Sequence, residues 1–264
     1  MANRQRFQPH ANWHCGRQKR NHSRSLALLC ALAAVLFYPA SSYSTETAAA
    51  LKPFLASYVV NYRGLQAGTS TLELRSEGEG KFNYSSRSNA RGLFRLVVGH
   101  EISQVSVLEI ASTIVRPLRY TGDDGSTATD RDISLDFNWQ TGRVSGVDED
   151  SPVDLPLQIG VQDVMSAQVA LMWDALRGET PKPYFLADKT ELKSYTTLFQ
   201  GNERLMTALG ELDTVVYVSR RMGAKHSLRV WLAPSLGYIP VQAEQLRETR
   251  RVWIMRIAST DIRQ

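Results

Sequence analysis

The chain is written largely in a period of two. In the stretch RDISLDFNWQ, Ile133, Leu135, Phe137 and Trp139 alternate with Ser134, Asp136 and Asn138. An extended backbone sends successive side chains to opposite faces, so such a run makes a strand with one apolar face and one wet face. The same pattern returns in FLASYVVNY, TLELRSE, EISQVSVLEI, HSLRVWLAP and RRVWIMRIAST. Short gaps rich in Gly or Asn, such as Gly78-Glu79-Gly80, Gln140-Thr141-Gly142 and Gly201-Asn202, join most of these runs. Gaps of that size connect antiparallel neighbours. The expected fold is mostly β, with about ten to twelve strands, too many for a short flat sheet. The sheet must therefore curve strongly, into a half-barrel or a barrel.

One segment follows another period. From Asp163 to Arg177, Met165, Val169, Met172 and Leu176 recur at helical spacing. Asp163 reads as the N-cap, its carboxylate accepting N–H groups of the first turn. The positive end of the helix dipole should hold its pKa down. Gly178 suits the left-handed stop, and Pro181 and Pro183 forbid continuation. A lone helix with a wide apolar face needs a partner, and the concave face of the curved sheet is the expected one. Gln162 precedes the cap, and capping leaves its amide without a role. The stretch GLFRLVVG, residues 92–99, is a weaker helical candidate.

Residues 1–44 carry six basic side chains and no acidic one, and they contain the apolar run Ser25–Tyr38 before a small-residue zone. This is the pattern of a cleaved secretory signal peptide, with residues 45–264 as a single β-rich domain. The apolar run is shorter than the about 20 residues of a membrane span, and no span is expected in the exported part. Cys30 follows Leu29 rather than a small residue, so no lipid anchor is expected. The chain has 31 Lys+Arg against 26 Asp+Glu. With the leader set aside the rest is close to neutral. No basic stripe with interleaved aromatics occurs, so nucleic acid is not an expected partner. Cys15 and Cys30 both lie in the leader, which removes thiolate chemistry from the exported domain.

Catalytic signatures are scarce. Beyond the leader only His100 and His226 remain, without a nucleophile elbow or a zinc-binding His-Glu-x-x-His helix. The stretch GDDGSTATDRD lacks calcium-loop spacing and reads as a hairpin loop, as does DEDSPVD. No cofactor, metal or catalytic residue is assigned. A binding role is open to two groups of side chains. Gln162, Asp163 and Ser166 stand together where the helix begins. The tryptophans, Trp173 and Trp231 among them, either line an apolar cavity or fill the core.

Several short elements, taken in order, resemble one family. They are Tyr58, Tyr62, Gly64 and Gly68 in the opening hairpin, then Arg116, Pro117, Arg119 and Tyr120. Gln162, Asp163 and Ser166 follow, then Trp231, Ala233, Pro234, Pro240 and Val241. In this order the chain resembles the bacterial exported domain-of-unknown-function family DUF3108. The resemblance implies a cell-envelope location, in the periplasm of a Gram-negative bacterium, and brings no reaction with it.

Three functions of different class fit these residues. The first is a non-enzymatic periplasmic domain that binds an apolar or amphipathic envelope component, such as a lipid, in the curved sheet. The second is a structural or adaptor module that presents sheet edges to an envelope protein. The third is a hydrolase of envelope polymers, which needs paired carboxylates across a polar cleft.

Overall fold

In the computed structural model, which describes residues 50–96, 98–128 and 131–262, the alternating runs form one antiparallel meander. The leader expected over residues 1–44 lies outside the described residues. The first half supplies β1 (Phe54–Tyr62), β2 (Leu65–Gly78), β3 (Lys81–Ala90), β4 (Ile102–Ala111), β5 (Ile114–Asp123), β6 (Ile133–Asn138), β7 (Arg143–Asp148) and β8 (Ser151–Pro156). After the two-residue β9 (Val161–Gln162) comes helix α1 (Ser166–Leu176). The second half supplies β10 (Tyr184–Asp188), β11 (Glu191–Thr207), β12 (Gly210–Arg221), β13 (His226–Ala233), β14 (Ile239–Arg247) and β15 (Arg250–Thr260).

All fifteen strands belong to one sheet, ordered from β8 down to β1 and then from β15 down to β9. The first strand thus pairs with the last: Tyr58 lies opposite Ile257 and Tyr62 opposite Trp253. The sheet is open, with β8 and β9 as its edges, and only Leu157–Gly160 separates them along the chain. Curvature brings β9 against β5. All pairings are antiparallel except that of β9 with β10.

The fifteen strands depart from the expected ten to twelve at particular places. The acidic stretch from Asp148 to Asp154 is no long loop, because Glu149 and Asp150 make a tight turn and β8 begins at Ser151. Gly201-Asn202, expected as a hairpin turn, is instead a bulge within β11, where the register shifts between Phe199 and Gly201. In the stretch expected as a weaker helical candidate, Gly92–Leu96 form a short 3-10 turn. Trp139 sits just past β6 rather than on it, and its indole donates to the Pro117 carbonyl at 2.8 Å.

Alternation assigns the faces as expected. In β6, Leu135 and Phe137 are buried while Ser134 and Asp136 are exposed. Tyr58, Leu74, Tyr84 and Leu108 are fully buried from the sheet, and Met165, Val169 and Met172 from the helix segment. Each such burial contributes about 1.5–3 kcal/mol relative to exposure. The helix packs on β4 and β5. It stops at Gly178, whose φ of +66° takes the left-handed region open to glycine.

Candidate ligand-binding cavity

Polar contacts at its front end hold α1 to the sheet. Asp163 is buried, and its carboxylate accepts the N–H groups of Met165 and Ser166, both at 2.8 Å. It also accepts the Ser106 hydroxyl of β4 at 2.7 Å. In return the Asp163 N–H donates to Ser166 Oγ at 3.0 Å, a reciprocal arrangement like a capping box. Regular helix starts only at Ser166, yet Asp163 satisfies the donors that an N-cap satisfies. The lowered pKa expected for this carboxyl is not what the fold produces. Burial raises it, and the hydrogen bonds offset only part of that rise.

Gln162 acquires a partner that the sequence did not indicate. Its Nε2 donates to the Val115 carbonyl of β5 at 2.8 Å. Its Oε1 is buried with no protein partner, beside a cleft of about 100 Å³ between β5, α1 and the chain from Pro181 to Tyr184. Further along the helix, Gln168 accepts the Tyr84 hydroxyl at 3.3 Å. Trp173 donates its indole N–H to the Thr113 carbonyl at 3.2 Å, and Arg177 lies over its ring. Gln162, Asp163, Ser166 and Trp173 therefore act together, fastening the helix to β4 and β5.

Trp231 stands apart from them. Its neighbours Val230 and Leu232 face the inside, so alternation turns Trp231 to the other face of the sheet. There its indole donates to Glu203 of β11 at 2.7 Å, and Arg229 stacks on the ring.

The helix fills only one end of the concave face. At the other end a cavity of about 680 Å³ remains, walled by β1–β4 and β13–β15 and floored by Met165 and Gln168. Val60, Leu72, Val230, Ala243 and Met255 make much of its wall. Tyr62, Phe94 and Trp253 also line it, and the Tyr62 and Phe94 rings meet edge-on with centroids 6.0 Å apart. A few polar groups interrupt the apolar wall: Gln104, Asn89, and the hydroxyls of Ser70 and Ser88, bonded at 2.9 Å. An apolar pocket with a few placed polar groups is the usual form of a small-molecule site. Of the tryptophans, Trp253 lines this cavity, and Trp173 and Trp231 do not. The signal for the other lining residues was the inward phase of β1 and β15, which puts Val60 and Tyr62 on the face of Met255 and Trp253.

The two histidines are elsewhere. His100 is exposed and faces Asp123, with Nε2 3.1 Å from both carboxylate oxygens. His226 is exposed at the start of β13. Among the described residues no group of three His, Cys, Asp or Glu side chains is arranged to hold a metal ion. Among them, too, no helix is long and apolar enough to cross a membrane.

Comparison with known proteins agrees with this architecture. The model of a family described as "Protein of unknown function (DUF3108)" matches residues 57–249. No curated protein matches the chain. Among solved structures, a β-barrel-like protein of the domain of unknown function DUF1849 from Brucella abortus is similar, with a TM-score of 0.51 at 12% identity. The match covers 81% of this chain and 99% of that one, and it shows a shared fold. The MucA/MucB complex structure from Pseudomonas aeruginosa gives a TM-score of 0.37 at 12% identity, over 79% of this chain and 51% of the matched one.

Proposed function

The chain belongs to the DUF3108 family of proteins of unknown function, and on that premise we propose that it is a non-enzymatic binding protein for an apolar or amphipathic component of the cell envelope. The observation that carries this reading is the cavity of about 680 Å³ between the concave sheet and the front of α1. Its volume lies within the roughly 300–1,000 Å³ typical of small-molecule sites. Its wall offers dispersion contacts along most of its length and hydrogen bonds at a few points. That division suits a molecule with an apolar body and one polar end. We place the protein in the periplasm, on the strength of the leader read in residues 1–44.

The other two readings draw less support. Sheet edges that recruit a partner strand need free N–H groups. The edge strand β8 carries Pro152 and Pro156, which have none, and β9 is two residues long. A polymer hydrolase needs facing carboxylates. The buried Asp163 faces Ser106, Ser166 and backbone N–H groups instead.

Native mass spectrometry of the chain, purified gently from the envelope of cells that make it, tests the proposal. An adduct of lipid mass is expected. Clean apo protein that also fails to take up added fatty acid or phospholipid would sink it.

A further inference from the structure

The mouth of the cavity carries an unusual set of side chains. In a meander every second turn falls at the same end of the sheet, so the β1–β2 and β3–β4 connections lie together at one end. The pairing of β1 with β15 adds the β14–β15 turn, where the Arg63 N–H donates to the Val252 carbonyl. The β12–β13 turn joins through the Glu248 N–H and the Lys225 carbonyl. Each of these connections joins at least one strand that walls the cavity.

On their tips stand isolated, highly exposed apolar side chains. Leu65 is 66% exposed, Leu93 81%, Leu96 84% and Met222 97%. Arginines flank them: Arg63 beside Leu65, Arg91 and Arg95 around Leu93, and Arg250 at the start of β15, all exposed. Arg63 lies over the Tyr62 ring at the cavity, 5.2 Å from its centroid. Opposing charge is sparse on these four connections. The acidic turns at the same end, such as Glu149-Asp150 between β7 and β8, join strands that do not wall the cavity. Glu101 is bonded to Asn89, Glu248 is 3.7 Å from Lys225, and Glu244 is buried between Arg229 and Arg251. Asp123 and Asp124 lie beyond His100 and engage His100 and Arg131.

We propose that this end docks on an anionic phospholipid surface, with Leu65, Leu93 and Leu96 entering the headgroup–acyl boundary and the arginines meeting lipid phosphates. Single leucines on separate protruding tips suit a soft, planar apolar layer. A protein partner would call for a contiguous, shape-matched patch instead. Apolar area and attraction to anionic headgroups add in such binding. The purpose rests on the reading of the cavity as an amphiphile site: docked in this way, the mouth opens onto the bilayer, and an acyl chain passes between them without crossing water.

The test is co-sedimentation of the purified chain with vesicles of phosphatidylcholine alone and of phosphatidylcholine with phosphatidylglycerol. Uptake of a fluorescent fatty acid from solution is read in parallel. Binding is expected on the phosphatidylglycerol vesicles only, and it should weaken as salt is raised. Each Arg91→Gln or Arg95→Gln change should weaken it about fivefold. Leu93→Ser with Leu96→Ser should abolish vesicle binding and leave fatty-acid uptake from solution intact. Loss of uptake in the wild type with vesicle binding retained would count against the cavity reading and leave the docking standing. The docking proposal is overturned if binding ignores vesicle charge, if the leucine variant binds as well as the wild type, or if the chain is held by an acidic polypeptide and by no vesicle.

Discussion

Asp174 sits on the flank of α1, beside the small cleft that Gln162 borders. Partial burial, and then the charge of Glu179, push its carboxyl up to about 6. A folded-state value above the unfolded one means that the folded chain holds the proton more tightly. The stability it contributes is therefore full below the unfolded value of about 3.9, and it is lost as pH rises through about 6. Asp174→Asn keeps the shape and removes the titration. The variant should gain on the wild type between about pH 4 and pH 6 and keep that advantage above it. Urea unfolding of both proteins at the two ends of this range checks the sign. An advantage that shrank as pH rose would mean that the carboxylate, not the acid, is the favoured form. Glu179 is a local neighbour, its N–H on the Asp174 carbonyl at 2.9 Å, but the burial that raises the carboxyl most comes from packing that the local sequence does not announce.

At the scale of the element, α1 was legible. Its apolar spacing, its acidic cap and its glycine stop all lie within the stretch itself, and the structure uses all three. The contacts that seat it were not legible, since Ser106 of β4, Thr113 in the β4–β5 turn and Val115 of β5 lie 57, 60 and 47 residues from their partners. The same holds for the pKa of Asp163. A helix N-terminus alone would lower it, and only docking against β4 supplies the burial that raises it. Asp163→Ala removes a cap and also leaves the Ser106 hydroxyl and two backbone N–H groups without their acceptor. The expected loss is about 2 kcal/mol, more than the about 1 kcal/mol of an exposed cap. Chemical denaturation measures it, and a loss below about 0.5 kcal/mol would mean that water replaces the carboxylate.

For the whole molecule, the consequence of curvature is a cavity at one end of the sheet and a seated helix at the other. Ala243 is buried in β14 and lines the cavity. Ala243→Phe would place a ring in that space without touching the contacts that hold α1. Uptake of a fluorescent fatty acid should fall sharply while the far-UV circular dichroism melt stays cooperative. Unchanged uptake would place the ligand outside this cavity.

The sequence by itself determined the strand faces, the antiparallel order and the position of the single interrupting helix. Each of these depends on residues within a few places of one another, and a period of two or of 3.6 records them directly. Only the tertiary structure decided that Gly201 is a bulge and not a turn, that the first strand pairs with the last, and that the helix leaves part of the concave face unfilled. These depend on twist accumulated over fifteen strands and on contact between the two ends of the domain. No local pattern carries an accumulated quantity of that kind, and the cavity volume is one.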